Sequence, residues 1–363
     1  MSLDKEFRKD AIYKNILFEE PKGFETSVSD FEKKASKLLN VSNALALNSA
    51  TSGLHLALKV LGVEKGDLVL CSTFTFAASA FPIEYIGATP IFIDSEKDTW
   101  NMCPVLLENA IVELSKKNKK PKAIILVHSY GVPAKMSEIL KISKKYKIGL
   151  IEDAAEAFGS KYKGKHCGTI GDIGVFSFNK NKVMTMFGGG LLVSDNKDHV
   201  EKAKYYATQA KENCSFYYHK ELGFNYKMNP MVALYGLKKM SFFEKEIAYR
   251  TSVNEFYRES FREIKEIQFL EVTRNNVWNG WMSVLLVDSE FRKEKITNAL
   301  ESSGFLLRSL WNPMHLQPVF LKNKKYLNGV SDELFKKGLT LPNDLGVSLS
   351  ELKKSVEVIK SNF

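Results

Sequence analysis

Between Asn43 and Val193, short apolar runs alternate with segments whose apolar residues recur at helical spacing. The runs are typical of buried strands, and the segments between them predict amphipathic helices. Strands separated by helices of about ten or more residues favour a parallel sheet covered on both faces, which is an α/β fold. The predicted strands are 43–50, 68–72, 90–94, 122–128, 148–153, 173–178 and 190–193, and the predicted helices among them are 51–61, 76–86, 105–116 and 137–146.

After the last of these strands the alternation loosens. We predict one long helix at 231–250, and from about Phe256 the composition is that of a separate lobe. The pattern therefore predicts a large domain over residues 1–245, which includes an N-terminal segment. It also predicts a smaller C-terminal α+β domain over residues 246–363.

The composition is that of an ordinary globular protein, since 44% of the 363 residues are hydrophobic and 26% are charged. No run of about 18 apolar residues could span a bilayer, and the N-terminus lacks the apolar core of a signal peptide. The four cysteines are far apart in sequence and form no CxxC pair. They indicate neither a zinc site nor a disulfide scaffold, so we expect a cytoplasmic protein.

The formal charge of +10 at pH 7 suggests a nucleic acid or an anionic small molecule as a partner. The lysines are scattered, however, and no basic aromatic motif of the kind that reads nucleic acid is present. The six histidines have no metal-ligand spacing, and no GxSxG motif follows a strand. We therefore expect no nucleic acid, no metal and no Ser-His-Asp hydrolase, and most of the charge is accounted for by solvated surface.

Polar residues follow several predicted strands at the places where parallel sheets bind ligands, beyond the carboxyl ends. Thr51 and Ser52 stand where a strand turns into a helix. The free N–H groups of a helix N-terminus bind phosphate, but the same residue types also serve as plain N-caps. Asp153 ends another strand, and its carboxylate could hold a proton on a basic ring nitrogen or cap the next helix. Both interpretations stay open for each position.

The loop between strands 173–178 and 190–193 contains Lys180, Lys182 and three consecutive glycines. A lysine between buried strands is costly unless it is paired or used chemically, and a desolvated amine forms Schiff bases with carbonyls. A hairpin with two solvated lysines is the alternative for this stretch alone. Ser177 is close to Lys182 in sequence, and its hydroxyl could face the same crevice.

These positions together supply the parts of a pyridoxal phosphate site. The first turn of helix 51–61 would anchor the phosphate, Phe76 would stack on the ring unless it is ordinary core, and Asp153 would hold the pyridinium proton. A loop lysine would form the Schiff base, and its spacing from the glycines favours Lys182 over Lys180.

Several segments in order along the chain carry a resemblance to a known family. They are 48–57, 73–77, 152–157, 168–178, the Lys182 loop with its glycines, and 223–228. The chain resembles the DegT/DnrJ/EryC1/StrS family of sugar-nucleotide aminotransferases, within the fold-type I pyridoxal phosphate enzymes. The resemblance implies a large domain with a mostly parallel sheet, a smaller C-terminal domain, and pyridoxal 5'-phosphate as the cofactor.

The resemblance also implies a role for each matching residue. Lys182 matches the lysine that forms the Schiff base and moves the proton, and Asp153 matches the partner of the pyridine nitrogen. Glu156 stands where the family has Gln, His or Glu near the cofactor's phenolic oxygen. The remaining matches are the phosphate positions Thr51, Ser52 and Ser177, the ring-stacking Phe76, and Asn225, which in the family reaches the phosphate of the neighbouring subunit. The last match implies a homodimer with shared active sites.

The sequence around the lysine favours one subgroup of the family. Asn179 stands where many members have histidine, and this resembles the subgroup that acts on UDP-linked 4-keto-6-deoxy-N-acetylhexosamines. Lys180 is unusual in that subgroup and adds charge near the site. Together with Tyr217 and His315, whose loops would set the substrate details, it is expected to contact the substrate.

The resemblance therefore implies transfer of an amino group from L-glutamate to the C4 ketone of such a UDP-linked sugar, for bacterial surface glycans or glycoproteins. A GDP- or dTDP-linked substrate, or amination at C3, is the alternative within the family. Sugar dehydration is disfavoured because the family's dehydratases replace the lysine with histidine. A non-catalytic binding or regulatory protein on the same fold is disfavoured by the intact Lys182 and Asp153.

Overall fold

The computed structural model describes residues 23–305 and 307–363, so the start of the predicted large domain lies outside the described residues. The strands in these ranges are β1 Asn43–Leu47, β2 Leu68–Ser72, β3 Thr89–Ile93, β4 Ala123–Val127, β5 Gly149–Asp153, β6 Lys161–Tyr162, β7 Lys165–His166, β8 Ile173–Ser177, β9 Gly190–Ser194, β10 Ser283–Leu286, β11 Lys325–Tyr326 and β12 Gly338–Leu341. The α-helices are α1 Ser27–Leu39, α2 Ala50–Val60, α3 Ala77–Tyr85, α4 Pro104–Lys116, α5 Met136–Tyr146, α6 Lys197–Ala207, α7 Pro230–Lys239, α8 Phe243–Ser260, α9 Glu290–Ser302, α10 Val330–Lys337 and α11 Leu349–Lys360. None of these helices is both long and apolar enough to cross a membrane.

One eight-stranded sheet forms the centre of the fold, in the order β1-β9-β8-β5-β4-β2-β3-β11. Strands β8, β5, β4, β2, β3 and β11 pair in parallel. Strand β9 is antiparallel to both of its neighbours, β8 and β1, and is therefore the one reversed strand of this sheet. The α/β fold with a mostly parallel sheet is confirmed.

Helices cover both faces of the sheet because its strands are apolar on both sides. In β2, Val69 and Cys71 pack with the layer formed by α2, α3 and α6, whereas Leu70 packs with α4 and α5. All three side chains are fully buried. Burial on both faces is typical of parallel sheets, and it explains why the strands read as continuous apolar runs in the sequence.

The boundary between β1 and α2 differs from the predicted one. The strand ends at Leu47 instead of residue 50, and the helix begins at Ala50 instead of Thr51. The reason is a cap, because the hydroxyl of Ser49 accepts a hydrogen bond from the N–H of Ser52 at 3.1 Å.

The prediction of one helix over 231–250 is wrong, because α7 ends at Lys239 and α8 begins at Phe243 after a 3₁₀ turn. In a straight helix, Lys239 and Glu246 would stand about 10 Å apart along the axis. The turn instead brings the Lys239 Nζ within 2.6 Å of a carboxylate oxygen of Glu246. It also buries Met240 and Phe243, so apolar packing and an ion pair both favour the bend.

A second, smaller core lies in the C-terminal part of the chain. Helices α8, α9 and α11 pack against the antiparallel pair β10–β12, in an apolar cluster that includes Tyr257 and Leu285. Met314 and Phe320, although later in the chain, pack into the core of the large sheet, and β11 pairs with β3 at its edge. The predicted division between residues 245 and 246 falls inside α8 and stays a prediction.

Candidate active site

The carboxyl ends of the parallel strands meet along one edge of the large sheet, where ligands bind in such folds. Strands β1 and β8 run in the same direction because both are antiparallel to β9. The residues at these strand ends are Asn48 and Ser49 after β1, His128 after β4, Asp153 in β5 and Ser177 in β8. Residues that are far apart in sequence thus meet at one crevice along this edge, where His128 is itself fully buried.

Lys182 reaches into this crevice from the loop between β8 and β9. Its Nζ lies 3.1 Å from Oε1 of Glu156 and 4.2 Å from the centre of the Trp281 ring. Only 13% of the Lys182 side chain is exposed, so the amine is largely withdrawn from water. Lys180, in contrast, is exposed. The geometry favours Lys182 as the reactive amine.

Glu156 is the carboxylate that faces the lysine amine. One of its oxygens accepts a hydrogen bond from Lys182, and the other accepts one from the backbone N–H of Tyr130 at 2.9 Å. Burial raises the pKa of Glu156 to about 7, although the nearby Lys182 ammonium opposes the rise. A carboxyl group with this pKa can gain or lose a proton close to neutral pH.

Asp153 lies at the bottom of the crevice and is buried. The Ser79 hydroxyl donates to its Oδ2 at 2.6 Å, and the N–H of Ala155 donates to its Oδ1 at 3.1 Å. Burial raises the pKa of Asp153, while these two hydrogen bonds and the Lys182 ammonium act in the opposite direction. Each carboxylate oxygen keeps a further lone pair, which a protonated ring nitrogen can use.

The N-terminus of α2 offers a place for a phosphate, because its first N–H groups and the helix dipole favour an anion. Ser52 is nearly buried there, and its hydroxyl donates to Oδ1 of Asn48 at 2.6 Å. Thr51 is half-buried in the same turn and carries a second hydroxyl. Of the two predicted phosphate residues in this turn, Thr51 is therefore the more accessible donor.

Ser177 is brought to the same place by the reversed strand β9. In the β8–β9 pair, Ser177 stands opposite Gly190, the last glycine of the triplet. A Cβ on Gly190 would lie 2.4 Å from the carbonyl carbon of Ser49, so only glycine allows β9 to approach the start of α2 this closely. The lysine loop and the predicted phosphate position are therefore packed against each other.

Phe76 stands at the start of α3 and is 63% exposed. Its carbonyl accepts a hydrogen bond from the N–H of Ser79, whose hydroxyl in turn holds Asp153, so α3 ties Phe76 to the bottom of the crevice. Phe76 also lines a cavity of about 170 Å³ together with Trp311 and Met314. An exposed aromatic ring at this place fits the predicted stacking role.

The chemistry of these groups fits pyridoxal phosphate. A largely buried amine that can react with an aldehyde, a buried carboxylate for a ring nitrogen and a helix N-terminus for a phosphate lie along one edge of one sheet. Lys182 and Asp153 are also close enough for the lysine charge to influence the pKa of Asp153.

Asn225 and Tyr217 belong to the segment between α6 and α7. Asn225 is exposed, and its carbonyl accepts a hydrogen bond from Nδ2 of Asn48 at 3.4 Å, beside the start of α2 in the same chain. Tyr217 is 83% exposed, with Nζ of Lys211 4.6 Å from its ring centre. Contact of Asn225 with a cofactor, and of Tyr217 with a substrate, stays a prediction.

His315 does not face the crevice, so its predicted contact with the substrate is corrected. The residue is buried, with Nδ1 2.7 Å from Oγ1 of Thr73 and Nε2 3.1 Å from a carboxylate oxygen of Asp332. Both ring nitrogens thus lie beside groups of the chain itself, and burial lowers the pKa of His315. In the same segment it is Trp311 and Asn312 that line the cavity beside the crevice.

Tyr130 and Trp281 contact Glu156 and Lys182, although neither is among the predicted site residues. Tyr130 adopts a left-handed backbone (φ 54°), which is strained for a bulky residue, and strain of this kind clusters at functional sites. Its ring stacks between Trp281 and Trp311, at centroid distances of 6.0 and 4.4 Å. The one available signal was that Tyr130 follows the carboxyl end of β4, whereas nothing in the sequence marks Trp281.

Comparison with known proteins gives one consistent result. The sequence model of the DegT/DnrJ/EryC1/StrS aminotransferase family matches residues 23–360. EpsN of Bacillus subtilis (strain 168), whose name describes a pyridoxal phosphate-dependent aminotransferase, is 38% identical over 93% of this chain and 88% of its own. GDP-perosamine synthase of Escherichia coli O157:H7 is 33% identical over 87% of this chain and 84% of its own.

A third relative and a solved structure extend the comparison. The UDP-4-amino-4,6-dideoxy-N-acetyl-beta-L-altrosamine transaminase of Campylobacter jejuni is 31% identical over 90% of this chain and 87% of its own. The crystal structure of a DegT DnrJ EryC1 StrS aminotransferase from Brucella abortus superposes with a TM-score of 0.87 at 26% identity. The superposition covers 92% of this chain and 90% of that one.

Proposed function

The chain belongs to the DegT/DnrJ/EryC1/StrS aminotransferase family, and we propose that it moves an amino group from L-glutamate to the C4 ketone of a UDP-linked 4-keto-6-deoxy-N-acetylhexosamine. It is a pyridoxal phosphate-dependent aminotransferase that acts on nucleotide sugars. The aminated product would enter a bacterial surface glycan or glycoprotein.

The observation that carries the proposal is the buried Lys182–Glu156 pair beside Asp153. Pyridoxal phosphate, when bound, withdraws electrons from the reacting carbon and so makes its proton acidic. Lys182 is placed to take that proton from the amino donor and to deliver it again as a general base and acid. Asp153 would hold the proton of the ring nitrogen, and Glu156 would keep the lysine amine in place between the two half-reactions.

Two observations support a UDP-linked substrate. The Campylobacter jejuni relative, whose name specifies a UDP-linked N-acetylated sugar, covers 90% of this chain. Asn179 at the start of the lysine loop resembles the UDP-sugar subgroup, and the exposed Lys180 beside it adds a positive charge for a diphosphate.

A GDP-linked keto-sugar is the second candidate. GDP-perosamine synthase is 33% identical to this chain, slightly more than the UDP-sugar relative at 31%. An assay with both sugars distinguishes the two candidates directly.

A homodimer with two shared active sites is part of the proposal. Asn225 of each subunit would reach the phosphate held at α2 of the other, and the exposed Tyr217 would reach its substrate. Phe187 and Tyr235, 72% and 40% exposed, lie with ring centroids 5.3 Å apart and form an apolar patch that suits a subunit interface. The four free cysteines suit the reducing cytoplasm, where we place the enzyme.

A substrate panel tests the proposal. The purified enzyme is incubated with pyridoxal phosphate, L-glutamate and, one at a time, UDP-, GDP- and dTDP-linked 4-keto-6-deoxy sugars. The products are identified by mass spectrometry. We expect an aminated product from the UDP-linked N-acetylated sugar and none with Lys182→Ala. Turnover of the GDP-linked sugar alone would select the second candidate, and turnover of the dTDP-linked sugar alone would contradict both. NMR of the product distinguishes C4 from C3.

A further inference from the structure

Trp281 touches Lys182 in two ways, although it lies far from the lysine loop in sequence. The lysine Nζ stands 4.2 Å from the centre of the indole ring, over its face. The indole Nε1–H donates a hydrogen bond to the carbonyl of Asn181, the residue before Lys182, at 2.7 Å. One side chain thus contacts both the amine and the backbone that carries it.

Trp281 is itself held firmly from the C-terminal part of the chain. Its carbonyl accepts hydrogen bonds from the Arg250 guanidinium at 3.0 Å and from Nδ2 of Asn343 at 3.1 Å. The carbonyl of the preceding residue, Gly280, accepts another from Nδ2 of Asn254 at 3.1 Å. All three donor side chains are buried, so these bonds are shielded from water. These hydrogen bonds fix the backbone at Trp281, which carries the indole, relative to α8 and to the segment after β12.

A lysine amine in this crevice needs such a holder. The four-carbon side chain of a lysine is flexible, so ordering it costs conformational entropy that several contacts must offset. Glu156 supplies one contact through its carboxylate. The electron-rich face of an indole attracts a cation, and it does so best where water is excluded. The contacts of Trp281 therefore act together with the hydrogen bond to Glu156 in fixing the Lys182 side chain.

We propose that Trp281 is a positioning residue for Lys182, with its ring holding the amine and its N–H fixing the adjoining backbone at the geometry required for capture of the cofactor's aldehyde. The proposal rests on the proposed function in one respect, namely that Lys182 is the lysine that binds the cofactor. It adds a role for the C-terminal part of the chain, which supplies the side chain that holds the reactive amine in place.

Three variants separate the two contacts of Trp281. Trp281→Phe keeps an aromatic ring but removes the hydrogen bond to Asn181, and Trp281→Leu removes both contacts. Tyr249→Phe is the matched control, because Tyr249 packs in the C-terminal core and its hydroxyl also donates to a main-chain carbonyl, that of Val347, at 2.9 Å. Circular dichroism and the urea midpoint establish that each variant is folded.

The principal measurement uses the protein freed of cofactor. Pyridoxal phosphate is added, and its capture by Lys182, in which the amine condenses with the aldehyde and water leaves, is followed by visible absorbance. Borohydride reduction and peptide mass spectrometry confirm that residue 182 is the one modified. We expect capture to slow by about tenfold or more in Trp281→Leu and by less in Trp281→Phe, with Tyr249→Phe close to wild type.

A steady-state measurement complements the capture experiment. With the cofactor at saturation, we expect Trp281→Leu to lower kcat about tenfold while the KM for L-glutamate changes by less than about twofold, because the residue acts on the lysine and not on substrate binding.

The outcomes distinguish this proposal from the proposed function. Capture by Trp281→Leu at the wild-type rate would overturn the positioning role while leaving the proposed function intact. An equal loss in Tyr249→Phe and Trp281→Phe would also overturn it, by showing a general effect on the C-terminal part of the chain. If the wild-type protein itself formed no adduct at Lys182, the proposed function would fail, and the role of Trp281 would fall with it.

Discussion

Lys182 and Lys180 are two residues apart, yet the fold treats them differently. The side chain of Lys182 lies between Glu156 and Trp281 and is only 13% exposed. Lys180, in contrast, faces solvent. We predict that Lys182→Ala abolishes the covalent binding of pyridoxal phosphate and lowers kcat by about 10³-fold or more, because the base and the attachment point are lost together. Lys180→Ala is the matched control and should keep both, as judged by visible absorbance and turnover. The reverse result would mean that the site is misassigned by two residues.

The shifted pKa of Glu156 makes a prediction about stability and pH. The folded chain keeps this carboxyl protonated up to a pKa of about 7, whereas the ordinary value is 4.5. When the pH lies between about 4.5 and 7, Glu156 therefore takes up a proton as the chain folds. The stability that neutral Glu156 contributes is complete below about pH 4.5 and is lost as the pH rises through about 7, and the full effect is about 3 kcal/mol.

Glu156→Gln removes this titration and serves to measure it. We expect the free energy of unfolding of the variant, relative to wild type, to increase by about 2–3 kcal/mol between about pH 4.5 and pH 8. Urea unfolding of the cofactor-free proteins at several pH values gives this difference. Any loss from replacing a carboxylate acceptor by an amide adds a constant offset and leaves the slope intact. A relative stability that does not change with pH would contradict the shift.

At the residue scale, some residues of the candidate site could be predicted from the sequence and others could not, for a physical reason. Asp153 could be predicted because a polar residue that ends a buried strand has few alternatives to facing the crevice. Trp281 could not, since an aromatic residue carries no directional signal in a chain with 24 phenylalanines and 14 tyrosines. His315 was predicted to contact the substrate, but burial against Thr73 and Asp332 gives it an internal role.

At the scale of elements, the contact between β9 and α2 depends on a single glycine. Gly190→Ala would place a Cβ 2.4 Å from the main chain at Ser49, so strand and helix would have to separate. We expect a loss of about 1–3 kcal/mol in the free energy of unfolding, and weaker binding of pyridoxal phosphate because the phosphate position moves. Urea unfolding and a cofactor titration measure the two effects.

Gly188→Ala is the control within the same triplet, because a Cβ there would meet nothing within 4 Å. We expect it to change the stability by less than about 0.5 kcal/mol. Equal losses in the two variants would show that the glycines serve the flexibility of the loop, and not the approach of β9 to α2.

The periodicity of the sequence predicted most strands and helices but not every junction. The strands of the large sheet could be predicted because burial on both faces demands continuous apolar runs. The bend after Lys239 could not, since it depends on an ion pair with Glu246 that forms only once the helices are packed. Strand β11, at Lys325–Tyr326, is only two residues long and is defined by its pairing with β3, which no local pattern shows.

At the scale of the whole molecule, the shared sites of the proposed homodimer predict complementation. Asn225→Ala should weaken the binding of pyridoxal phosphate in every site of its homodimer, while Lys182→Ala leaves no reactive lysine. In a mixed dimer of the two variants, one site combines the intact Lys182 of one chain with the intact Asn225 of the other. We therefore expect mixing after dissociation to restore cofactor affinity and activity in a share of the sites.

Activity at low cofactor concentration, with sedimentation to confirm the dimers, measures the restoration. Mixtures of each variant with itself are the controls and should recover nothing. If the mixed sample behaves as the sum of its parts, Asn225 serves its own chain, in line with its hydrogen bond to Asn48, and the shared-site arrangement is excluded.

The fold class could be predicted at this scale because alternating strands and helices have few packing solutions. The way in which the C-terminal part returns to the large sheet could not. Met314 and Phe320 enter its core from a region whose composition resembles a separate lobe. Such long-range packing is decided by shape complementarity in three dimensions, which leaves no periodic trace along the chain.

The position of Trp281 against the lysine amine also means that its fluorescence responds to the cofactor. Tryptophan emission is quenched by energy transfer to a chromophore that absorbs near its emission wavelength, most strongly at the shortest separation, and a pyridoxal group attached at Lys182 would be such a chromophore. The other three tryptophans, Trp100, Trp278 and Trp311, supply the rest of the emission, which the spectrum of Trp281→Phe measures by itself. The loss of the Trp281 signal therefore reports, without any added label, what fraction of the molecules carries the cofactor at each moment.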